Sequence, residues 1–199
     1  MDPVKQTPSK MRVYLRQLWI LGFSVMAILL DPLGGNTLAQ SGQGSSADAA
    51  KVAAANALIP TQSRQAAPEL NLTDITGSRL NLADYRGKVV LLDFWAVDCG
   101  GCVIEIPWYV EFDQKYHDKG LRLLGIDMYG ESLAYIKSFM QKSHMQYPVA
   151  VGNDEITNRF QADELPKTML IDRQGRVAFA HVGIVNKAMF EQDIQELLK

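Results

Sequence analysis

The sequence contains very few cysteine and histidine residues, which limits the disulfide and metal chemistry open to it. Only two cysteines occur in the 199 residues, so a secreted domain held together by several disulfides is excluded. A structural zinc site needs four ligands, but no second cysteine pair is present and the three histidines are scattered. The core must therefore be stabilised by packing alone, and the closely spaced Cys99 and Cys102 favour a redox function.

The globular part of the chain also has no excess of positive charge. Residues 68–199 contain fourteen basic and nineteen acidic residues. Nucleic acids and anionic lipids attract surfaces of net positive charge, which this balance does not provide. We therefore expect no nucleic-acid partner.

No apolar run reaches the usual length of a membrane-spanning helix. Residues 18–30 form a run of thirteen uncharged residues after four basic ones, whereas a spanning helix needs roughly 20. This pattern, with the small residues of Thr37-Leu38-Ala39 after it, predicts a cleaved signal peptide over residues 1–39. The alternative is an uncleaved anchor, which would then make the only membrane contact. In both cases we expect the protein in the periplasm or elsewhere outside the cytoplasm.

A stretch of small and polar residues separates this export segment from the globular part. Residues 40–67 are rich in Ser, Gly, Gln and Ala, and such a segment cannot bury enough apolar surface to offset the entropy lost on ordering. We predict a flexible low-complexity linker there, followed by one folded domain over residues 68–199.

The apolar pattern of that domain predicts an α/β fold, in which a central mixed β-sheet is flanked by helices. Alternating residues predict a hairpin over residues 70–82, and an unbroken apolar run predicts a buried strand over residues 88–95. A helix at residues 132–142 has an apolar face formed by Leu133, Ile136, Phe139 and Met140. The other predicted elements are helices at 100–117, 156–160 and 187–198 and strands at 121–127, 148–151, 168–172 and 176–182.

The residues that carry chemistry are concentrated where the buried strand ends. Cys99 and Cys102 are separated by two glycines and followed by a helical pattern, so the strand delivers a pair of thiols to a helix N-terminus. Unpaired N–H groups and the helix dipole favour a thiolate there, which predicts Cys99 as the nucleophile and Cys102 as the resolving thiol. The neighbouring Asp98 carboxylate opposes thiolate formation and so favours a reductase or an isomerase.

Two motifs in this order resemble those of thioredoxins. The stretch Asp93-Phe-Trp-Ala-x-x-Cys-x-x-Cys102 resembles the thioredoxin active-site strand and turn, and residues 165–172 resemble the cis-proline loop with its following strand. Glu105 and Pro107, together with the export segment, are similar to the extracytoplasmic TlpA/ResA type of thioredoxin-like oxidoreductase. The resemblance covers residues 68–199 and implies a thioredoxin-like fold with an N-terminal hairpin extension.

The resemblance also implies two residues that move protons. Asp93 matches the buried aspartate of thioredoxins, and Glu105 matches the acidic residue of the TlpA/ResA type. Either carboxyl could exchange a proton with Cys102. The alternative for Glu105 is an acid near the helix start that interacts favourably with the helix dipole.

The implied substrate-binding residues are Leu165, Pro166, Trp95 and Trp108. If Pro166 is cis, as the resemblance implies, the Leu165 backbone would pair with an extended substrate beside Cys99, whereas the alternative is an ordinary loop proline. Trp95 and Trp108 flank the turn. Core packing is favoured for Trp95, while a partly exposed Trp108 would help to form the docking surface.

These features predict a thiol-disulfide oxidoreductase that reduces disulfide-containing protein substrates and needs no metal or other cofactor. A membrane-bound or thioredoxin-type electron donor would keep it reduced, and the resemblance implies cytochrome c maturation, copper-centre assembly or general disulfide reduction. One alternative is a copper(I)-binding chaperone whose thiols act with His181 or Met145. The other is an oxidase that introduces disulfides.

Overall fold

The computed structural model describes residues 57–199. The predicted signal peptide or anchor over residues 1–39 lies outside the described residues, as do residues 40–56 of the predicted linker. Within residues 57–199, no helix is both long enough and apolar enough to cross a membrane.

A five-stranded mixed sheet forms the centre of the described region. Its strands are ordered β5–β4–β3–β6–β7, with β4 parallel to β3 and β5, and β6 antiparallel to β3 and β7. A separate hairpin, β1–β2, precedes it. The elements in chain order are β1 (Asn71–Thr73), β2 (Arg79–Asn81), β3 (Val89–Trp95), α1 (Gly100–Tyr116), β4 (Leu121–Asp127), α2 (Leu133–Lys142), β5 (Val149–Val151), α3 (Asp154–Phe160), β6 (Lys167–Ile171), β7 (Val177–Val182) and α4 (Lys187–Leu198).

Strand β3 is the middle strand of this sheet, and both of its faces are covered. All seven of its residues are buried, as its unbroken apolar sequence predicts. Leu91 and Trp95 pack in the core cluster that includes α1, α2 and α4, whereas Leu92 and Phe94 pack on the opposite side with α3 and the hairpin. Since alternate residues of a strand share a face, Asp93 lies on the α1 side. The predicted α/β class, mixed sheet and hairpin extension are confirmed.

The folded region begins earlier than the predicted domain start at residue 68. Ile59 N–H donates to the Ala178 carbonyl over 2.8 Å, and Val177 N–H donates to the Gln65 carbonyl over 2.8 Å. Arg64 forms an ion pair of 3.2 Å with the buried Asp172. The sequence-based boundary is therefore too late, because β7 provides backbone partners that compensate for the weak apolar content of residues 59–67.

The hairpin is attached to the other side of the sheet. Ile75 N–H, in the turn between β1 and β2, donates to the Val149 carbonyl of β5 over 2.8 Å. Asp74 forms an isolated antiparallel bridge with Ala150 of the same strand. The sheet thus has a segment of the N-terminal region along each of its outer strands.

Candidate active site

The active-site turn, residues 96–98, connects β3 to α1 and places Cys99 at the helix N-terminus. Cys99 N–H donates to the Ala96 carbonyl over 3.2 Å, which turns the chain after the strand. Cys99 is the N-cap residue of α1, and its sulfur accepts a hydrogen bond of 3.2 Å from Cys102 N–H. The predicted strand–turn–helix placement of the two cysteines is confirmed.

The two cysteines are joined in a disulfide and differ sharply in exposure. Cys102 is 1% exposed, whereas Cys99 is only partly buried. A sulfur atom of another molecule can therefore approach Cys99 but not Cys102. The roles expected from the sequence, attack by Cys99 and resolution by Cys102, remain predictions that fit this asymmetry.

The loop before β6 packs against the active-site helix. The Leu165–Pro166 peptide bond is cis, as the resemblance implies. A Cβ atom added to Gly101 would lie 2.9 Å from Pro166 Cδ and 3.2 Å from Ile184 Cγ1. Glycine at position 101 is therefore required by close approach of the proline ring. Leu165 is partly buried and contacts both core clusters.

A second loop, residues 183–185 between β7 and α4, also borders the site. Gly183 N–H donates to the Pro166 carbonyl over 2.8 Å, and Val185 N–H donates to Glu105 Oε1 over 2.7 Å. Sequence reasoning missed this loop, since Val185 and Glu105 lie 80 residues apart and no motif connects them. The loop joins the cis-proline segment to the acidic residue of the active-site helix.

Glu105 is fully buried, one helical turn beyond Cys102. Its Oε1 accepts the hydrogen bond from Val185, whereas its Oε2 has no partner among the described residues. Burial raises the pKa of Glu105 to about 7, although the Val185 hydrogen bond opposes this effect. A buried carboxyl near the helix start can also interact with the helix dipole, so proton transfer and the dipole interaction both remain predictions for Glu105.

Asp93 is the second buried carboxyl of the site. Its side chain is 2% exposed, and neither carboxyl oxygen has a hydrogen-bond partner among the described residues. Burial, followed by the charge of Glu105, raises the pKa of Asp93 well above its ordinary value. Burial, and after it the charges of these two carboxyls, raise the pKa of Tyr109. The Tyr109 hydroxyl lies 2.7 Å from Thr168 Oγ1. Tyr109, four residues after Glu105 on α1, was not identified from the sequence, although this spacing places both on one helix face.

The two tryptophans proposed as substrate-binding residues differ in position. Trp95 is completely buried and its ring stacks on Phe139 at a centroid distance of 5.3 Å. Its assignment to the substrate-binding set is therefore wrong, because a buried ring offers no surface to a partner, and its role is packing. Trp108 is partly buried against the core. Its contact with substrate remains a prediction.

Three apolar side chains of the active-site helix and the second loop are exposed, which the sequence did not lead us to expect. Val103 and Ile104, in the first turn of α1, are 45% and 50% exposed, and Ile184 of the second loop is 46% exposed. Two consecutive large apolar residues after Cys102 are the signal that would have identified part of this surface. The start of the active-site helix and the second loop thus each present exposed apolar side chains.

The described residues contain no group of three or more His, Cys, Asp or Glu side chains arranged to hold a metal ion. Met145, which the copper alternative invokes, is 6% exposed and belongs to the core cluster of α1, α2 and α4. His181 is partly exposed on β7.

Comparison with known proteins agrees with this geometry. Two curated relatives are named thiol-disulfide oxidoreductase ResA. The first, from Geobacillus kaustophilus (strain HTA426), is 31% identical over 132 residues, covering 66% of this chain and 75% of the relative. The second, from Bacillus subtilis (strain 168), is 29% identical over 134 residues, covering 67% and 74%.

Solved structures give the same class. A thiol:disulfide interchange protein of the thioredoxin family from Chlorobium tepidum TLS superposes with a TM-score of 0.63 and 26% identity, covering 68% of this chain and 97% of its own. A DsbF homologue from Corynebacterium diphtheriae, at 21% identity and a TM-score of 0.66, shares the fold over 82% of this chain and all of its own. The protein is thus a thioredoxin-like enzyme, a thiol-disulfide oxidoreductase.

The sequence profile of the AhpC/TSA family matches residues 63–180. The chain belongs to this thioredoxin-like family. The family match begins before residue 68, in the segment that pairs with β7.

Proposed function

We propose that this oxidoreductase reduces disulfides of protein substrates outside the cytoplasm, with Cys99 as the attacking thiol. The difference in exposure between the two cysteines carries this proposal. Only the sulfur of Cys99 is accessible to a protein-sized partner, while the buried Cys102 lies one helical turn from a carboxyl whose pKa is raised to about 7. Thiol-disulfide exchange then proceeds in a fixed order, in which Cys99 reacts first and Cys102 second.

In the first step, the Cys99 thiolate of the reduced enzyme attacks one sulfur of the substrate disulfide. The substrate S–S bond breaks, its second sulfur leaves as a thiolate and takes a proton, and a mixed disulfide with Cys99 forms. In the second step, the Cys102 thiolate attacks the Cys99 sulfur and expels the first substrate sulfur. The substrate gains two electrons, and the enzyme is left with the Cys99–Cys102 disulfide seen in the structure.

Glu105 is the proposed acceptor of the Cys102 proton. Its pKa of about 7 suits proton transfer near neutral pH, and its Oε2 has no other partner among the described residues. Burial raises the pKa of Asp93 well above its ordinary value, and we assign Asp93 as the second proton carrier. The charge of Glu105 contributes to the raised pKa of Asp93, so the two carboxyls ionise one after the other.

The location and physiological partners extend the proposal. The predicted export segment and the ResA relatives support a place outside the cytoplasm, where a membrane-bound or thioredoxin-type donor would restore the dithiol. Cytochrome c maturation and copper-centre assembly are the processes proposed from the resemblance. Leu165 would contribute its backbone to the bound substrate beside Pro166.

Trapping of the mixed disulfide tests this order. The variant Cys102→Ser should accumulate a covalent complex with substrate protein, because no second thiol remains to resolve it. The variant Cys99→Ser is the matched control and should trap nothing. Equal trapping by the two variants, or trapping by neither, would contradict Cys99 as the attacking thiol.

Two measurements distinguish the proposed reductase from a copper chaperone and from an oxidase. A copper chaperone would bind copper(I) tightly through the thiols and fail to reduce insulin disulfides. An oxidase would have a reduction potential well above that of a reductase, where about 30 mV corresponds to about 1.4 kcal/mol for the two-electron couple. Insulin reduction combined with a low potential supports the proposal.

A further inference from the structure

A second pair of carboxyl groups lies at the end of β4, outside the residues discussed so far. Asp127, the last residue of β4, is 0% exposed, and its Oδ2 accepts a hydrogen bond of 3.0 Å from Gly130 N–H. Glu131 lies in the loop that follows. Its Oε1 accepts a hydrogen bond of 3.1 Å from Val97 N–H, which belongs to the active-site turn.

Each carboxyl of the pair has one further oxygen that is buried. Asp127 Oδ1 and Glu131 Oε2 have no hydrogen-bond partner among the described residues, and each of the two carboxyls shifts the pKa of the other. Two ionised carboxylates only accept hydrogen bonds, so a bond between them requires one proton. A proton on Asp127 Oδ1, donated to Glu131 Oε2, gives both buried oxygens a partner.

The electrostatics of the pair agree with this arrangement. Burial, and after it the neighbouring Glu131, raise the pKa of Asp127 to about 7. Burial also acts to raise the pKa of Glu131, but Asp127 and the hydrogen bond from Val97 N–H together lower it. A single proton on Asp127 fits these opposite directions, and Glu131 is then the carboxylate that accepts from the active-site turn.

The loop that carries Glu131 follows the active-site turn closely. Met128 N–H donates to the Trp95 carbonyl over 2.9 Å, and the Tyr135 hydroxyl donates to Asp98 Oδ1 over 3.4 Å. Between these two contacts, Glu131 holds Val97. Of the three contacts, only that of Glu131 involves a carboxyl of the buried pair.

Few other charged groups face the pair. On β3, Asp93 lies on the α1 face of the sheet, two residues before Trp95, and burial raises its pKa well above the ordinary value. The active-site turn contributes Asp98, and α2 contributes Tyr135, whose hydroxyl donates to Asp98. Strand β5 pairs with the end of β4 through Val151 and contains no charged residue.

We propose that Asp127 and Glu131 are positioning residues that share one proton, and that this proton fixes the turn which presents Cys99. When the pair loses the proton, two negative charges repel at short range. Asp127 is held in β4, so Glu131 in the loop moves away and Val97 N–H loses its acceptor. The consequence for catalysis rests on the proposed role of Cys99, but the coupling of the pair to the turn does not.

Hydrogen exchange at Val97, measured by NMR on the oxidised full chain, tests the coupling directly. From about pH 5.5 to about pH 8.5, the protection factor of the Val97 amide should fall about tenfold as the pair ionises, which corresponds to about 1.4 kcal/mol. In Glu131→Gln, the new side-chain amide group donates to the Asp127 carboxylate, and the side-chain oxygen still accepts from Val97 N–H. Protection in that variant should not change with pH.

Controls separate this effect from general changes in stability. Glu155→Gln removes an exposed carboxyl on α3 and should behave as the parent protein. If Glu131→Gln does not fold, Asp127→Asn provides the same test, because its amide donates to Glu131 and its oxygen accepts from Gly130. Constant Val97 protection in the parent protein, or an equal fall in the Gln or Asn variant, overturns the proposal.

The link to catalysis has a separate readout. In a Cys102→Ser background, the rate of Cys99 alkylation against pH should show a break that the added Glu131→Gln change removes. A Cys99 that does not exchange with disulfides, in a protein whose Val97 behaves as expected, refutes the proposed function but supports the positioning pair.

Discussion

The buried carboxyl of Glu105 should make stability depend on pH in a way that one substitution removes. The pKa of this group is about 7 in the folded protein and 4.5 ordinarily, so between these values the folded state holds a proton that the unfolded state releases. Its stabilising contribution is complete below about pH 4.5 and is lost as the pH rises through about 7. Each pH unit between the two pKa values corresponds to about 1.4 kcal/mol, so the complete loss is at most about 3.5 kcal/mol.

Glu105→Gln keeps an oxygen that accepts from Val185 N–H but cannot ionise. The variant should therefore gain stability relative to the parent protein, by at most about 3 kcal/mol, on going from about pH 4 to about pH 8. Urea denaturation of both proteins at the two pH values, with the disulfide intact, gives this difference. Glu111→Gln, an exposed carboxyl on the same helix, is the matched control and should gain far less.

The reasoning is refuted if the stability difference between Glu105→Gln and the parent protein is the same at both pH values within about 0.5 kcal/mol. A difference of opposite sign would mean that the carboxylate is stabilised inside the protein. Asp93 remains in both proteins, but the charge of Glu105 that contributes to its raised pKa is absent from the variant, so this coupling acts in the same direction as the expected gain.

Two further predictions concern the active-site turn. Gly101→Ala should destabilise the protein by about 1–3 kcal/mol in urea denaturation, since its Cβ would lie 2.9 Å from Pro166 Cδ. Gly100→Ala, which meets no atom within 4 Å, should have no such cost. Asp98→Asn should raise the thiolate fraction of Cys99 and increase its alkylation rate up to about fivefold at neutral pH, because a nearby charge in water contributes about 1 kcal/mol. An unchanged rate would show that Asp98 does not influence the thiol.

The local features of the site could be predicted from the sequence because they depend on neighbouring residues. The unbroken apolar run of β3, the two cysteines that follow it and the helix after them lie within 28 residues, 89–116. Their order alone indicates a thiol at a helix N-terminus. The cis bond at Pro166 was predicted from the resemblance, since an isolated proline in a loop carries no such information.

Features that depend on distant segments could not be predicted. The burial of Glu105 depends on Val185, and the ordered conformation of residues 59–67 depends on backbone hydrogen bonds to the start of β7. Helical periodicity placed Leu133 on the apolar face of α2, but it is 51% exposed. It is the first residue of that helix, directly after the N-cap Ser132, and only Ile136, one turn later, is fully covered.

The segments that flank the sheet affect how this protein behaves at high concentration. An outer strand with free N–H and carbonyl groups is a template on which a neighbouring molecule can extend the sheet, and such growth leads to aggregation. Here residues 59–67 occupy that position beside Val177 and Ala178, the first two residues of β7, and the hairpin turn at Ile75 occupies it along β5. We therefore expect the N-terminal region of the domain to hinder self-association through these parts of the sheet.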